Sequence, residues 1–305
     1  MLMVLMGIGG KDMTWAFLAL LAGITNCVQI EINRHYKHNG FEINSYRALI
    51  SVLLLLPFIP FMEWPSDPRY YMATLLCAAI SVVGMMVQYN LAAAKNGRVA
   101  NLHQPITIFL TFFLWLIFDR QQLYFLLDHP LNFAGILFSF ALLFISIQFL
   151  RKNDSGWRAL MAIMPVGVLY AFLGIITKLV LDQGAAESTQ LLPISLGFVL
   201  LSNALMAMIS FPAVISKKKR AQHPFNKKIL KPALYISVFH TISWILINLA
   251  TILTPNAAYP FAVTALSPLW FMLYYKMKGV KDDASPVAGG LMFAAAVILV
   301  LVSKG

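Results

Sequence analysis

Residues 99–118 read Val99-Ala100-Asn101-Leu102-His103-Gln104-Pro105-Ile106-Thr107-Ile108-Phe109-Leu110-Thr111-Phe112-Phe113-Leu114-Trp115-Leu116-Ile117-Phe118, with no formally charged side chain between Arg98 and Asp119. A helix rises about 1.5 Å per residue, so a run of this length covers the roughly 30 Å hydrocarbon core of a bilayer. Working outward, such runs recur at 13–33, 44–62, 70–93, 99–118, 129–150, 158–181, 190–215, 231–253, 256–276 and 285–303. Short linkers between them carry most of the charge. Lys95-Asn96-Gly97-Arg98 divides spans three and four, and Thr254-Pro255-Asn256 divides spans eight and nine, both with good turn chemistry.

Composition agrees. Hydrophobic residues make up 60% of the 305 and charged residues 11%, against roughly 25% charged in a soluble domain. Backbone groups in lipid must be satisfied within their own segment, so each run is expected to be helical. The expected fold class is an all-α membrane protein with about ten transmembrane helices. The apolar opening Met1 to Gly10 has no basic region before it and no clear cleavage pattern after it. Span one is therefore expected to act as an uncleaved anchor. Cys27 and Cys77 both lie inside apolar spans, which implies small packing residues and no disulfide framework.

A net charge of +11 and the run Lys217-Lys218-Lys219-Arg220, followed by Lys227, Lys228 and Lys231, raise the question of nucleic acid. Basic linkers beside apolar spans have a better explanation, since they set orientation and meet anionic headgroups. No nucleic-acid partner is expected. The linkers after spans one, three, five, seven and nine hold most of the 23 basic residues, among them Arg34, Lys37, Lys95, Arg98, Arg151, Lys152, Arg158, Lys276, Lys278 and Lys281. The termini and the other linkers hold Lys11, Arg69, Arg120 and Lys304. By the positive-inside rule the first set is cytoplasmic and both termini lie outside. The expected location is the cytoplasmic membrane of a bacterium.

The chain also repeats. Pro105 is followed fourteen residues later by Asp119, and Pro268 fourteen residues later by Asp282. Each acid precedes a span with early glycine, Phe133-Ala134-Gly135 or Ala288-Gly289-Gly290. Span three ends Tyr89-Asn90-Leu91-Ala92, and span eight holds Ile247-Asn248-Leu249-Ala250. Halves of five spans each, 1–154 and 155–305, must insert with opposite orientation.

With Gly23-Ile24-Thr25-Asn26 in span one and Tyr46-Arg47-Ala48-Leu49 leading to Leu53-Leu54-Leu55-Leu56-Pro57, this doubled pattern resembles the drug/metabolite transporter superfamily. The resemblance is to proteins with two EamA-like halves, and it covers essentially the whole chain. It implies ten helices in an inverted repeat, a central pocket and alternating access, with amino acids, amines, nucleotide-sugars and other small organic solutes as cargo. Two features depart from it. The stretch from Asn90 to Pro105 is five residues shorter than that from Asn248 to Pro268, and the family mostly keeps both termini cytoplasmic.

The expected pocket lies between the halves near the midplane, lined by spans one, three, four, six, eight and nine. His240 lies ten residues into span eight, roughly 15 Å deep. Ser243, Trp244 and Asn248 follow it at helical spacing, a polar and aromatic stripe suited either to a substrate or to a neighbouring helix. Asn26, Gln88, Tyr170 and Asn203 are further substrate-binding candidates, with interhelical hydrogen bonding as the commoner fate. Trp270 and Tyr274, four residues apart in span nine, are suited to covering a ligand or to anchoring at the interface. Pro105 and Pro268 are gating candidates, because proline frees a carbonyl and bends a helix.

Three charged residues are candidates for coupling or ion pairing. Glu31 stands beside Gln29, Asn33 and Arg34, and an ion pair with Arg47 at the head of span two competes with a transport role. Lys178 is expected to snorkel towards the interface with Asp182 as its helical partner. His35, His38, Glu31 and Glu42 share one linker, but Arg34 and Lys37 interrupt any metal spacing. No Gly-rich phosphate loop or catalytic triad is legible, so an enzyme is not expected. No cofactor or metal is required. The expected partners are a small-molecule substrate, the lipid bilayer and a coupling proton, and few fixed charges near the midplane favour a neutral, zwitterionic or aromatic solute. A non-transporting receptor or scaffold, or an intramembrane enzyme, remains the alternative, and neither explains the doubling.

Overall fold

A computed structural model of the chain describes residues 11–94, 97–101, 103–154, 157–187, 190–220, 227–279 and 285–303. Every element among them is helical. In chain order they are α1 (Lys11–Tyr36), α2 (Gly40–Leu55, running on into a 3-10 turn, Leu56–Phe61), α3 (Pro68–Ala94), α4 (Gly97–Ala100), α5 (Gln104–Phe118), α6 (Arg120–Asp128), α7 (Pro130–Asp154), α8 (Trp157–Glu187), α9 (Leu191–Arg220), α10 (Lys227–Ile252), α11 (Ala258–Thr264), α12 (Ser267–Met277) and α13 (Pro286–Val302). Lys95, Asn96 and the acid Asp282 of the second half fall outside the described residues, as do the side chains of the basic run 217–220.

Six stretches are long and apolar enough to cross a membrane: Met13–Tyr36, Gly40–Phe61, Pro68–Ala94, Ile163–Ala186, Leu191–Ser216 and Lys228–Ile252. The other four expected spans are shorter or broken. Span four becomes α4 and α5, and α5 then turns through 104° into α6. Span nine becomes α11 and α12. The apolar parts of α7 and α13 are Pro130–Ser146 and Val287–Val302, slightly short of a full crossing.

Local chemistry explains these limits. Pro105, Pro268 and Pro286 each stand in the first turn of their helices, where the missing N–H would have no partner anyway. The two gating candidates therefore do not bend a continuous helix, contrary to the expectation from sequence. They open the second piece of a broken one. Asp119 caps α6, accepting from the Gln122 backbone N–H at 3.0 Å, which fixes the sharp bend. Asn39 caps α2 by accepting from Phe41 and Glu42. Gly40 stands so close to α3 that a Cβ there would lie 2.3 Å from the Met86 carbonyl oxygen.

The packing is inside out relative to a water-soluble fold. Leu131 and Met277 are 86% exposed, and large apolar side chains cover the outside of nearly every long helix. Gln29, Asn33, Asn44, Arg47, His103, Asn203, His240 and Asn248 lie buried. Such an arrangement suits a hydrocarbon surround, where helices meet through van der Waals contact and interhelical hydrogen bonds. Hydroxyls bind neighbouring backbones at several crossings: Ser139 to Ala295 O at 2.7 Å, Ser243 to Ala22 O at 2.9 Å, and Ser237 to Arg47 O at 3.0 Å. Thr107 and Thr111 of α5 donate to Gly167 and Ala171 of α8 at 3.1 and 3.5 Å.

The main neighbours are α1 with α10, α3 with α8, α2 with α9, and α7 with α13. Around these, α2 also meets α10, α3 meets α9, α5 meets α8, and α11 with α12 meets α1. A central apolar cluster joins Phe112, Phe140, Tyr259 and Met292 from four helices with Leu266 from the turn between α11 and α12.

Candidate functional site

Where the broken helices α4–α5 and α11–α12 meet, the core opens into a cavity of about 150 Å³. An engineered core cavity of about that size holds a benzene molecule. Its lining comes from Ala22 and Asn26 of α1, Ser81, Met85 and Gln88 of α3, and Tyr170 and Leu173 of α8. Ser243, Trp244 and Ile247 of α10 add to it, with Phe261 and Thr264 of α11. His103, Gln104 and Thr107 complete the wall at the start of α5. These elements correspond to spans one, three, four, six, eight and nine.

Hydrogen bonds hold the polar wall. Tyr170 OH donates to Gln88 Oε1 at 3.2 Å, and Gln88 Nε2 donates to Asn101 Oδ1 at 2.9 Å. The His103 ring stands edge-on to Tyr170 at 5.0 Å, with Nδ1 at 3.0 Å from the Ala100 carbonyl oxygen. Gly84 makes this wall possible, since a Cβ there would lie 2.3 Å from Tyr170 Cε1.

Towards the C-terminal end of α1, one polar layer closes the cavity. Gln29 Nε2 donates to Asn26 Oδ1, while Gln29 Oε1 accepts from Tyr89 OH at 3.2 Å and lies 2.9 Å from His240 Nδ1. His240 is fully buried and its ring lies 4.9 Å from that of Trp244. Its Nε2 has no hydrogen-bond partner among the described residues. At the opposite end, Asn256 donates to Gln122 Oε1 at 3.0 Å, and Gln122 Nε2 donates to Tyr259 OH at 3.4 Å.

Behind the His240 layer lies Arg47, fully buried. Nε donates to Asn44 Oδ1 at 3.0 Å, Nη1 to Asn203 Oδ1 at 2.9 Å, and Nη2 approaches Met206 Sδ at 3.5 Å. No carboxylate among the described residues pairs with it.

The candidates named from sequence thus divide. Asn26, Gln88, Tyr170 and Trp244 line the cavity, and His240 lies one contact behind it. Asn203 does not line the cavity but binds Arg47. Asn248 is buried with an unpartnered Nδ2, also off the cavity wall. Trp270 packs instead beside the cluster of Cys27, Ala100 and Phe271, while Tyr274 points outward and is 42% exposed. Only four residues separate these two, but the break before α12 starts a new helical phase and turns both away.

The expected Glu31–Arg47 pair is corrected. Glu31 binds Arg34 and accepts from Tyr275 OH at 3.0 Å, while the Arg34 guanidinium lies 5.0 Å from the Tyr275 ring centroid. Helix rotation aims Glu31 at α12 and Arg47 at α9. Lys178 meets Asp182 at 2.7 Å, but it is buried beside the Trp115 ring rather than exposed at an interface.

Several residues of the site went unread in the sequence. Gln29 is the hub of the closing layer, and its spacing of three from Asn26 on one helical face was the available signal. Ser81, Phe261 and Thr264 carried none. Among the described residues no three His, Cys, Asp or Glu side chains gather as a metal site. Models of known protein families and characterised proteins give no match to the chain.

Proposed function

We propose that this chain is a secondary transporter of the drug/metabolite transporter type, with two EamA-like halves. On this reading it moves a small polar organic metabolite, such as an amino acid, an amine or a related solute, by alternating access in export or exchange. The observation that carries the reading is the cavity, with polar groups from both halves, beside two broken helices that each restart at a proline. Discontinuous helices at a midplane pocket are a recurrent way of building a transport site, because they put polar backbone where solute binds.

The packing adds support. Exchanging the halves pairs α1 with α8, α2 with α9, α3 with α10, α4–α5 with α11–α12, and α7 with α13. Under that exchange the α1·α10 contact becomes α8·α3, α2·α10 becomes α9·α3, and α5·α8 becomes contact of α11 and α12 with α1; all are contacts of the fold. The α2·α9 and α7·α13 contacts map onto themselves. The Gln29–Tyr89–His240 layer serves as the closed side and the Gln122–Asn256–Tyr259 cluster as its counterpart across the membrane.

The test is an untargeted comparison of metabolites inside and outside cells that express the chain or carry an empty vector, followed by flux of the implicated solute into proteoliposomes. Saturable flux that depends on the purified protein is expected. Absence of any protein-dependent solute movement, with the chain verified in the membrane, overturns the reading.

A further inference from the structure

Charge is distributed unevenly around the cavity. No acidic residue lines it. Glu31 is tied to Arg34 and Tyr275, and Asp182 to Lys178. Among the described residues Arg47 is fully buried with Asn44, Asn203 and Met206 as its side-chain partners, all neutral. A guanidinium taken out of water without a counter-charge is costly, and its field is weakly screened in a low-dielectric surround.

That field reaches the cavity. Arg47 and the closing layer are near neighbours: Ser237, three residues before His240 on α10, donates to the Arg47 carbonyl oxygen at 3.0 Å. Trp244 lines the cavity and also packs on the cluster of Ala48 and Met206 beside the guanidinium. One indole therefore reaches from the cavity to the cluster that holds Met206. Two independent features point to a missing acceptor. Among the described residues Asn101 Nδ2, one bond behind the wall residue Gln88, is buried without a partner, and so is Ser81 Oγ on the cavity wall.

We infer that the cavity is a carboxylate site, in which the uncompensated Arg47 charge selects small monocarboxylate solutes and rejects amines of the same shape. The inference deepens the transport reading, resting on it for the cavity as the place where solute binds. Asn101, Gln88 and Ser81 supply hydrogen bonds to the carboxylate, and Arg47 supplies the charge across the His240–Trp244 layer. A unit charge acting over roughly 10 Å at an effective dielectric near 20 shifts affinity on the order of tenfold. Within the cargo classes proposed above, this narrows the choice to solutes with a carboxylate.

Three probes of one shape and three charges test it: benzoate, benzamide and benzylamine, each titrated against the purified chain in lipid nanodiscs with thermal unfolding as readout. Benzoate is expected to protect at concentrations about tenfold or more below those needed of the other two. Asn203→Asp places a carboxylate on Arg47 with almost no change in side-chain size; it gives up the Asn203 Nδ2 bond to the Val199 carbonyl oxygen and cancels the guanidinium charge. In that variant the benzoate advantage should fall to near parity, and the comparison removes any contribution from partition into lipid. Equal protection by benzylamine, an advantage that survives Asn203→Asp, or no protection by any probe overturns the inference. Saturable proteoliposome flux without charge preference defeats the carboxylate site and leaves transport standing. Benzoate binding with the expected preference but no flux of any solute does the reverse.

Discussion

Gly84 gives Tyr170 the room to reach Gln88, with a missing Cβ only 2.3 Å from where the ring now lies. Gly84→Ala should push that ring into the cavity, at about 1–3 kcal/mol of stability from overpacking and with a larger loss of solute binding. Gly290, whose added Cβ meets nothing within 4 Å, is the control. Gly290→Ala should be neutral or stabilising by up to about 1 kcal/mol, and chemical denaturation of the two variants compares them directly. His240→Ala should leave a folded, monodisperse protein, because Gln29 keeps its bonds to Asn26 and Tyr89. Its transport should fall at least severalfold, and wild-type flux would remove His240 from the site. At this scale the sequence offered residue types but not directions. A helix turns 100° per residue, so polar side chains near one another in sequence face different neighbours. Glu31 and Arg47 looked like partners across one short linker, yet Glu31 pairs with Arg34 of its own helix and Tyr275 of α12, and Arg47 with Asn203 of α9.

Between α2 and α9, the Arg47–Asn203 hydrogen bond is the main polar tie named here, and it is wholly buried. Asn203→Ala should cost about 1.5–3 kcal/mol, the range for a hydrogen bond to a charged group, whereas Asn203→Asp should cost less, since its ion pair with Arg47 offsets the lost Nδ2 bond to the Val199 carbonyl oxygen. Unfolding of both variants in denaturant reads the difference. The long helices were legible because apolar runs of bilayer length allow little else. Their ends were legible where Pro255 and Asn256 supplied turn chemistry. The 104° turn between α5 and α6 was not, since Asp119 and Arg120 read simply as a charged linker and the cap is a matter of geometry. The breaks inside spans four and nine were hidden for a similar reason. Proline at a helix start and proline within a bent helix look alike in a one-dimensional pattern.

For the molecule as a whole, orientation is the property most open to direct test. Cys27 and Cys77 are both buried, so the native chain should react slowly with membrane-impermeant maleimides. Ser216→Cys, at an exposed position near the basic run, should be protected in intact cells and labelled after lysis. Gln121→Cys, exposed on α6, should behave the opposite way. The reverse pattern would put both termini in the cytoplasm, as the family resemblance implies. The composition of the cavity wall, by element, was readable from the doubled sequence. Its closing layer was not, because a hub such as Gln29 is defined by three partners from three helices and none of these is near it in the chain except Asn26.

The two threonines of α5 sit one turn apart and address carbonyls one turn apart on α8. Donors and acceptors of equal pitch act like the teeth of a rack. A shift of α5 along α8 by four residues, about 6 Å, brings Thr111 to the carbonyl that Thr107 has left, while Thr107 keeps the His103 carbonyl oxygen of its own helix as an acceptor. Travel at this contact has resting places one tooth apart, so it favours a molecule that jumps between two settings over one that drifts.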